Sequence, residues 1–514
     1  MTGMGDVDRP KLKAPVWLIA IAILMPTSFS AMATTATNVA MPHISGYFAA
    51  TTDEAKWIVT SYMVANACMM MLSGWLENML GRKRFINICI TIFTLGALIC
   101  SIAPTLNVMV IGRLIQGVGG GPMTPISQTV LLSVFPPEKK GLAMSLFGLA
   151  VMVCAILGPS FGGFLVDNFN WHYIYSINIP IGILSIFLIN KTINDVAPDK
   201  SHKIDYIGMS ALILWLLSMQ IVLDKGQQYN WFDCGWICWL SGFSLVMLTF
   251  LIVWELESKD SFMKLRLFKD KNFLVGTIIS TAVSMVVFTT MYLAPQFLQN
   301  VLGYTALLSG FTLAPRVISC VLMLFAIPYL MRLYDSRLLV AIGFFFLGLS
   351  TFLYTNVNLA VSFFYVAIPN VLLGVGVILT FIPISALALG TLPKEQLTNG
   401  ASLHNFLKTV GVAVVVSMSS TIVARHSQMH QNFLVDNLSN FNMVFQQKMN
   451  SLTHTFMSTA SYTYAHNKAN AYFYKQMVAQ STLFAYVDAF ATVALLAFIL
   501  IPLPFFMKNT IDEK

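Results

Sequence analysis

The sequence predicts an all-α protein embedded in lipid. Three observations carry this: too few charges for a wet surface, fourteen apolar runs of membrane-spanning length, and basic residues confined to alternate loops. Of 514 residues, 57% are hydrophobic and 10% charged, with a mean hydropathy of +0.73. A soluble domain carries roughly 25% charged residues, so lipid must cover most of the outside of this chain.

A helix crosses the hydrocarbon with about 20 apolar residues. By that length the expected spans are 16–40, 57–76, 85–103, 107–134, 141–166, 172–190, 204–223, 236–256, 273–298, 306–331, 338–356, 361–390, 400–424 and 482–507. The first follows the basic flank "RPKLKAPVW" and is too long for the apolar run of a signal peptide, so it reads as an uncleaved span. With the N-terminus inside, the inner loops hold Arg82, Lys83, Arg84, Lys139, Lys140, Lys191, Lys200, Lys203, Lys259, Lys264, Arg266, Lys269, Lys271, Arg332, Arg337 and Lys394. The short outer loops hold only Lys56 and Lys225. Cytoplasmic loops retain positive charge, which places both termini in the cytoplasm. The net charge of +8 is then an orientation signal, and no nucleic-acid partner is expected. Five of the seven cysteines lie within spans as small apolar packers. Cys234 and Cys238, four apart on one helical face, suit free thiols better than a strained disulfide. No spacing resembles a metal site, and no cofactor is expected.

The chain also repeats itself. "GWLENMLGRKRF" from Gly74 and "PYLMRLYDSRLL" from Pro328 each close a span and enter a basic loop, 254 residues apart (74 to 328). "QGVGGG" places Gly117 and Gly119 where "LGVGVI" places Gly374 and Gly376, 257 residues apart (117 to 374). Both matches are eight spans apart. The division that follows is a six-helix bundle over 1–193, an inserted pair over 194–258 and a second six-helix bundle over 259–514. Two related bundles around a midplane site make an alternating-access transporter. No Walker motif for ATP is present, so a gradient must drive it.

Arg113, in "GRLIQGVGGGPMTP", lies in the middle of an uncharged span, and an intramembrane ion is a functional candidate by default; the competing reading is an arginine tied to backbone carbonyls. In "CAILGPSFGG", Gly158, Pro159, Gly162 and Gly163 describe a bent helix that a neighbour approaches closely. "AMATTATNVAMP" (31–42) is a polar run without charge. Its Thr34, Thr37 and Asn38 either line a cavity or satisfy backbone groups within the helix.

Taken together, "GWLENMLGRKR", "GRLIQGVGGG" and "LGPSFGG" resemble three signature motifs of the major facilitator superfamily. The fourteen spans with "TNVAMP", "INIPIG" and "SLHNFLKTVG" are similar to its drug:proton antiporter branch of the EmrB and QacA type, on the EmrB side. The resemblance covers nearly the whole chain. It implies the major facilitator fold and export of hydrophobic or amphiphilic compounds in exchange for protons across a bacterial inner membrane. It further implies a hinge at Gly74, Asn78, Gly81, Arg82 and Lys83, an antiporter helix at Gly158 to Gly163, and coupling through Arg113. The polar segment 425–481, with Phe441, Val444, Phe445 and Met449 at helical spacing, would dock a periplasmic adaptor of the EmrA kind leading to an outer-membrane channel. A hairpin lying on the transporter's own outer face is the competing reading.

Two positions depart from the family pattern: Asn78 stands where an aspartate is common, with Glu77 beside it, and Ala33 replaces the usual first-span aspartate. The coupling acid is therefore sought elsewhere, at Asp488 in span 14, Asp224 at the outer end of span 7, or His404, whose ordinary pKa is near neutral. The competing reading of Asp488 is a structural partner for Lys408 or Arg316. Arg113, Arg316 and Lys408, with Gln116, Gln128 and Asn405, give a neutral to positive cavity, which favours neutral or weakly acidic amphiphiles. A narrow-substrate exporter of a fatty acid or metabolite, and an uncoupled transporter-like sensor, stay open beside this reading. No nucleophile, base and orienting group recur at useful spacing, so an enzyme is not expected.

Overall fold

A chain crossing hydrocarbon must satisfy its own backbone hydrogen bonds, and a helix does so within one segment. The computed structural model describes residues 15–136, 140–193, 205–258, 262–359, 361–393, 396–439, 442–458 and 461–507, and it is helical with no strand among them. The helices are α1 (Val16–Tyr47), α2 (Thr52–Leu80), α3 (Arg82–Ser101), α4 (Leu106–Gly120), α5 (Met123–Val134), α6 (Lys140–Gly148), α7 (Cys154–Asn168), α8 (Tyr173–Ser176) and α9 (Asn178–Thr192). They continue with α10 (Tyr206–Gly226), α11 (Gly235–Glu257), α12 (Lys271–Gln296), α13 (Ala306–Leu333), α14 (Ser336–Leu353), α15 (Phe363–Gly390), α16 (Leu397–Val435), α17 (Met443–Met457) and α18 (Tyr462–Ile499).

Twelve of the helical stretches are long and apolar enough to cross a membrane unaided. Two more apolar segments are interrupted. α4 and α5 meet at Gly121–Pro122, where the proline has no N–H to give, and α6 joins α7 through a π turn at Leu149–Val153. The twelve and the two together occupy the fourteen runs read from the sequence. Large apolar side chains such as Trp239, Leu245, Phe325 and Phe364 point outward as a lipid-facing surface. α11 is the most peripheral helix: it packs on α10 and buries only Ile237, Ser244, Leu251 and Glu255. All seven cysteines are free, as expected.

Short polar caps start the helices. Thr51 and Glu54 form a capping box on α2, and Asp205, Asp270 and Asp335 accept from the first-turn N–H groups of α10, α12 and α14. Each cap satisfies a donor the helix cannot reach.

The internal repeat reappears as geometry. A Cβ on Gly117 would meet the Tyr62 carbonyl at 2.5 Å, and one on Gly374 would meet the Arg316 carbonyl at 2.5 Å. The partners are 254 residues apart (62 to 316), the glycines 257 (117 to 374). Gly119 presses in the same way on Cys89 and Phe93 of α3, and Gly376 on Gly343 and Leu347 of α14, again 254 apart (89 to 343, 93 to 347). Contacts across the chain's two parts run along α2 against α16 and α7 against α13, with α10 laid on α2 and α16.

The largest departure from expectation is at 425–481. α16 and α18 do not stop at the expected span ends, 424 and 482; they run through them as continuous helices, with α17 packed on α18 through Met449 and an edge-on Phe445–Phe473 pair at 5.2 Å. Apolar spacing carries these helices past those ends because Met449, Thr453, Ala465 and Ala469 bury against one another's helices. Met443 and Val444 are exposed. Phe441 lies outside the described residues, as do Lys139, Lys200, Lys203, Lys259 and Lys394 and the stretches at both expected domain boundaries.

Candidate functional site

Arg113 is fully buried on α4. Its Nε donates to the Ile58 carbonyl at 3.2 Å, one Nη donates to Gln116 Oε1 at 2.7 Å, and the guanidinium lies 4.2 Å from the Tyr62 ring and 5.8 Å from that of Tyr175. The other Nη and the Gln116 amide nitrogen are buried donors without acceptors. The two readings of Arg113 are thus combined: one backbone carbonyl holds it while part of its charge is unanswered. Arg316 on α13 is equally buried and donates from Nε (3.2 Å) and Nη2 (2.7 Å) to Asn370 Oδ1, whose amide donates in turn to the Tyr354 hydroxyl at 2.8 Å. By the repeat offsets, Arg316 stands at the counterpart of Tyr62 and Asn370 at that of Arg113. Each half therefore holds one buried guanidinium between the same two helices, but on opposite members of the pair.

The third buried cation is Lys408 on α16, whose Nζ lies 4.9 Å from the Phe381 ring. No carboxylate pairs with Arg113, Arg316 or Lys408 among the described residues. One turn before Lys408, His404 bonds Thr277 on α12 through Nδ1 at 3.0 Å and leaves Nε2 buried without a partner. Asn405 crosses to the other half and donates to Gln128 Oε1 on α5 at 2.9 Å, and Ser402 meets Ser73 at 2.9 Å. α16 is thus the helix that carries His404, Asn405 and Lys408 into the seam.

The polar run on α1 divides by face. Thr35 donates to the Ala155 carbonyl at 2.7 Å, Thr37 pairs with the Tyr175 hydroxyl at 3.0 Å, and Ala33 is buried beside them. Thr34 is part-buried and satisfies Ser30's carbonyl at 2.9 Å, while Asn38, four residues on, is exposed. Only Thr34 and Asn38 of the expected cavity threonines and asparagine are on an open face; Thr37 is spent inside the bundle.

At the hinge, Gly81 has φ +81°, a conformation suited to glycine, and links α2 to α3. Arg82 Nε donates to Glu77 Oε1 at 2.5 Å, and Lys83 Nζ donates to the Asn190 carbonyl at 2.9 Å. Asn78 is exposed, and the acid that meets Arg82 in the expected hinge is Glu77, one position earlier. Gly74 backs onto Asn399, whose Oδ1 would lie 2.5 Å from an added Cβ. On α7, a Cβ at Gly158 would collide with Thr35 and one at Gly162 would lie 2.9 Å from Ala36 Cβ. Gly163 is buried, Pro159 sits within the helix, and Ser160 Oγ donates to the Gly310 carbonyl of α13 at 3.0 Å.

The two outlying acids are each engaged. Asp224 accepts from Thr60 of α2 in a very short bond and from Gln220 Nε2 at 3.0 Å, next to Ser417, which donates to the Leu223 carbonyl at 2.6 Å. Asp488 does not partner Lys408 or Arg316. Its Oδ2 meets His426 Nδ1 at 2.7 Å and His430 Nε2 at 2.8 Å, because α16 extends far enough to bring both histidines opposite it. Sequence reasoning missed Tyr62, Asn370, Thr60 and these two histidines. The repeat offsets applied to Arg113 and Arg316 would have found the first pair, and the H-x-x-x-H spacing in "RHSQMHQ" the last.

A helical membrane bundle with a repeated helix-pair contact, a buried guanidinium in each repeat and polar side chains of α16 crossing between the repeats defines a class, the secondary transporters. The chain belongs to the Major Facilitator Superfamily, whose sequence model matches residues 23–416. It is 32% identical to the probable multidrug resistance protein EmrY of Escherichia coli over 443 residues, 86% of each chain. To the multidrug export protein EmrB of the same organism it is 32% identical over 85% of each. To the fatty acid resistance protein FarB of Neisseria gonorrhoeae it is 33% identical over 86% of this chain and 87% of that one. The expected superfamily and its multidrug-exporter branch are therefore correct, and the family points to transport rather than catalysis.

Proposed function

We propose that this chain is a secondary active exporter of hydrophobic compounds, with weakly acidic amphiphiles among its preferred substrates, working in exchange for protons. The observation that carries the substrate class is Lys408: a buried ammonium at the seam, beside an aromatic ring and without a carboxylate partner among the described residues. An uncompensated cation in low dielectric attracts an anionic headgroup, while Phe381 offers apolar surface to the tail. Arg113 and Arg316 add to the same field, and the open face of α1 at Thr34 and Asn38 supplies neutral hydrogen-bonding groups. The names of the relatives, multidrug export and fatty acid resistance, agree with this class.

For the proton, His404 is the strongest of the four candidates. Arginine keeps its proton at all working pH values, while Asp224, near the end of α10, is held by Thr60 and Gln220, and Asp488, within α18, is held by His426 and His430. His404 has one ring nitrogen bonded, the other vacant, on the helix that touches both halves. The two six-helix halves with α10 and α11 as the inserted pair, cytoplasmic termini, an inner-membrane location, and docking of an adaptor on the α16–α18 projection complete the proposal. A transport panel in everted vesicles tests the substrate class: export of amphiphilic acids that falls at least tenfold in Lys408→Met supports it. Avid export of quaternary ammonium dyes with none of the acids overturns it. The same panel separates a fatty-acid specialist, which FarB favours, from a broad exporter. Deleting 443–475 and finding adaptor co-purification unchanged would remove the docking role.

A further inference from the structure

The cluster at His426, His430 and Asp488 takes no part in the seam and asks for its own account. The two histidines are four residues apart on α16, so they share one helical face, and both rings aim at the same carboxylate oxygen of α18. The three donor atoms all lie within 4.8 Å of one another. All three side chains are between about a quarter and two-fifths exposed (38%, 23% and 34%), so water and ions reach them. The ring of His430 rests on Phe484 at 5.4 Å, which steadies its orientation.

We propose that His426, His430 and Asp488 form a binding site for one divalent transition-metal ion, zinc by its ligand set, that clamps α16 to α18 at the base of the projection. Two imidazoles and one carboxylate are the nitrogen and oxygen donors that suit zinc, whereas calcium and magnesium call for oxygen alone. Metal–ligand bonds of about 2.0–2.2 Å place tetrahedral ligand atoms roughly 3.3 Å apart. The present contacts of 2.7 and 2.8 Å need only open by about half an ångström, a shift that part-exposed side chains make by small rotations. On binding, each neutral ring moves the proton it shares with Asp488 to its far ring nitrogen, or releases it to water where the ring is an imidazolium, freeing the near nitrogen for the ion, and water fills the fourth position. Because α16 carries His404, Asn405 and Lys408 farther along the same helix, an ion here also fixes the register of the transport helix against α18.

The test is isothermal titration of zinc chloride into the full-length chain in detergent at neutral pH, freed of any polyhistidine tag. The native chain takes up one zinc ion that excess magnesium does not displace. His426→Ala and His430→Ala each weaken it at least tenfold, His430→Cys retains it because a thiolate also ligates zinc, and His454→Ala, on α17, leaves it unchanged. Zinc raises the melting temperature of the native chain and of His430→Cys but not of His426→Ala, a readout that does not depend on transport. The proposal is overturned by no uptake below about 1 mM zinc, by equal affinity in the native chain and His426→Ala, or by an equal loss in His454→Ala.

Discussion

Lys408 and Glu77 show how single side chains set this protein's chemistry. At Lys408 no carboxylate partner stands among the described residues, and in the proposed function its positive charge is answered by substrate. At Glu77 the carboxylate answers Arg82 directly. Breaking a buried charge pair by removing one partner costs about 3–5 kcal/mol; Arg82 is a quarter exposed, so the expected effect is smaller. Glu77→Gln is expected to lower transport several-fold, and Asn78→Ala to leave it within twofold, measured as initial rates in vesicles. The sequence pattern pointed to position 78 because the family count runs there. On the helix a shift of one residue turns the side chain by about 100°, and only coordinates show which of two adjacent polar residues faces Arg82.

Asp335 adds a pH-dependent residue outside the spans. Burial alone would raise its carboxyl, but the bonds from Arg337, with Nη2 at 2.7 Å, hold it below the usual carboxylate range. A carboxyl whose folded value is lowered stabilises fully above its unfolded value near 4 and loses that contribution as pH falls through the folded value. Asp335→Ala, which also removes the α14 cap, is expected to cost about 1 kcal/mol at pH 7. The difference from the native chain should shrink below pH 4 in thermal unfolding.

At the scale of elements, the glycines of α4, α7 and α15 are where helix meets helix without side chains between them. Gly117→Ala would drive a methyl group against the Tyr62 carbonyl and Gly374→Ala against that of Arg316. Overpacking of this kind costs about 1–3 kcal/mol, and both variants should melt lower by similar amounts if the halves repeat the same contact. The fourteen segments were legible because hydrophobic length is read directly from the residues. The two breaks were not equally so: Pro122 announces one, while the π turn at Leu149–Val153 has no residue signal of its own. Helical spacing in 425–481 was legible, but the continuity of α16 and α18 through the expected span ends at 424 and 482 was not, because polar residues such as Gln431 and Asn467 end the apolar runs while buried Ala465, Ala469 and Met449 keep the helices paired.

For the whole molecule, the repeat puts the two guanidinium groups on opposite members of matching helix pairs, so the halves are related in backbone but not in charge. α16 then carries His404, Asn405 and Lys408 between them, tied to α12 by Thr277 and to α5 by Gln128. A bundle of this kind alternates access by rocking one half against the other. The crossing bonds at Gln128–Asn405 and Ser73–Ser402 are expected to break when it does. Substituting Asn405 by Ala should shift the balance between the two facing states, read as changed labelling of a cysteine introduced along α5.

In the proposed function, substrate export is exchanged for protons carried at the α16 seam. Its most direct measurement is substrate-driven proton movement in proteoliposomes under an imposed pH gradient, comparing the native chain with His404→Gln and Ala33→Asp. An amphiphilic acid is expected to move protons through the native chain, and His404→Gln to abolish this while still binding substrate. A native chain that moves no protons, with movement restored by Ala33→Asp, would contradict it and identify an uncoupled member of the superfamily.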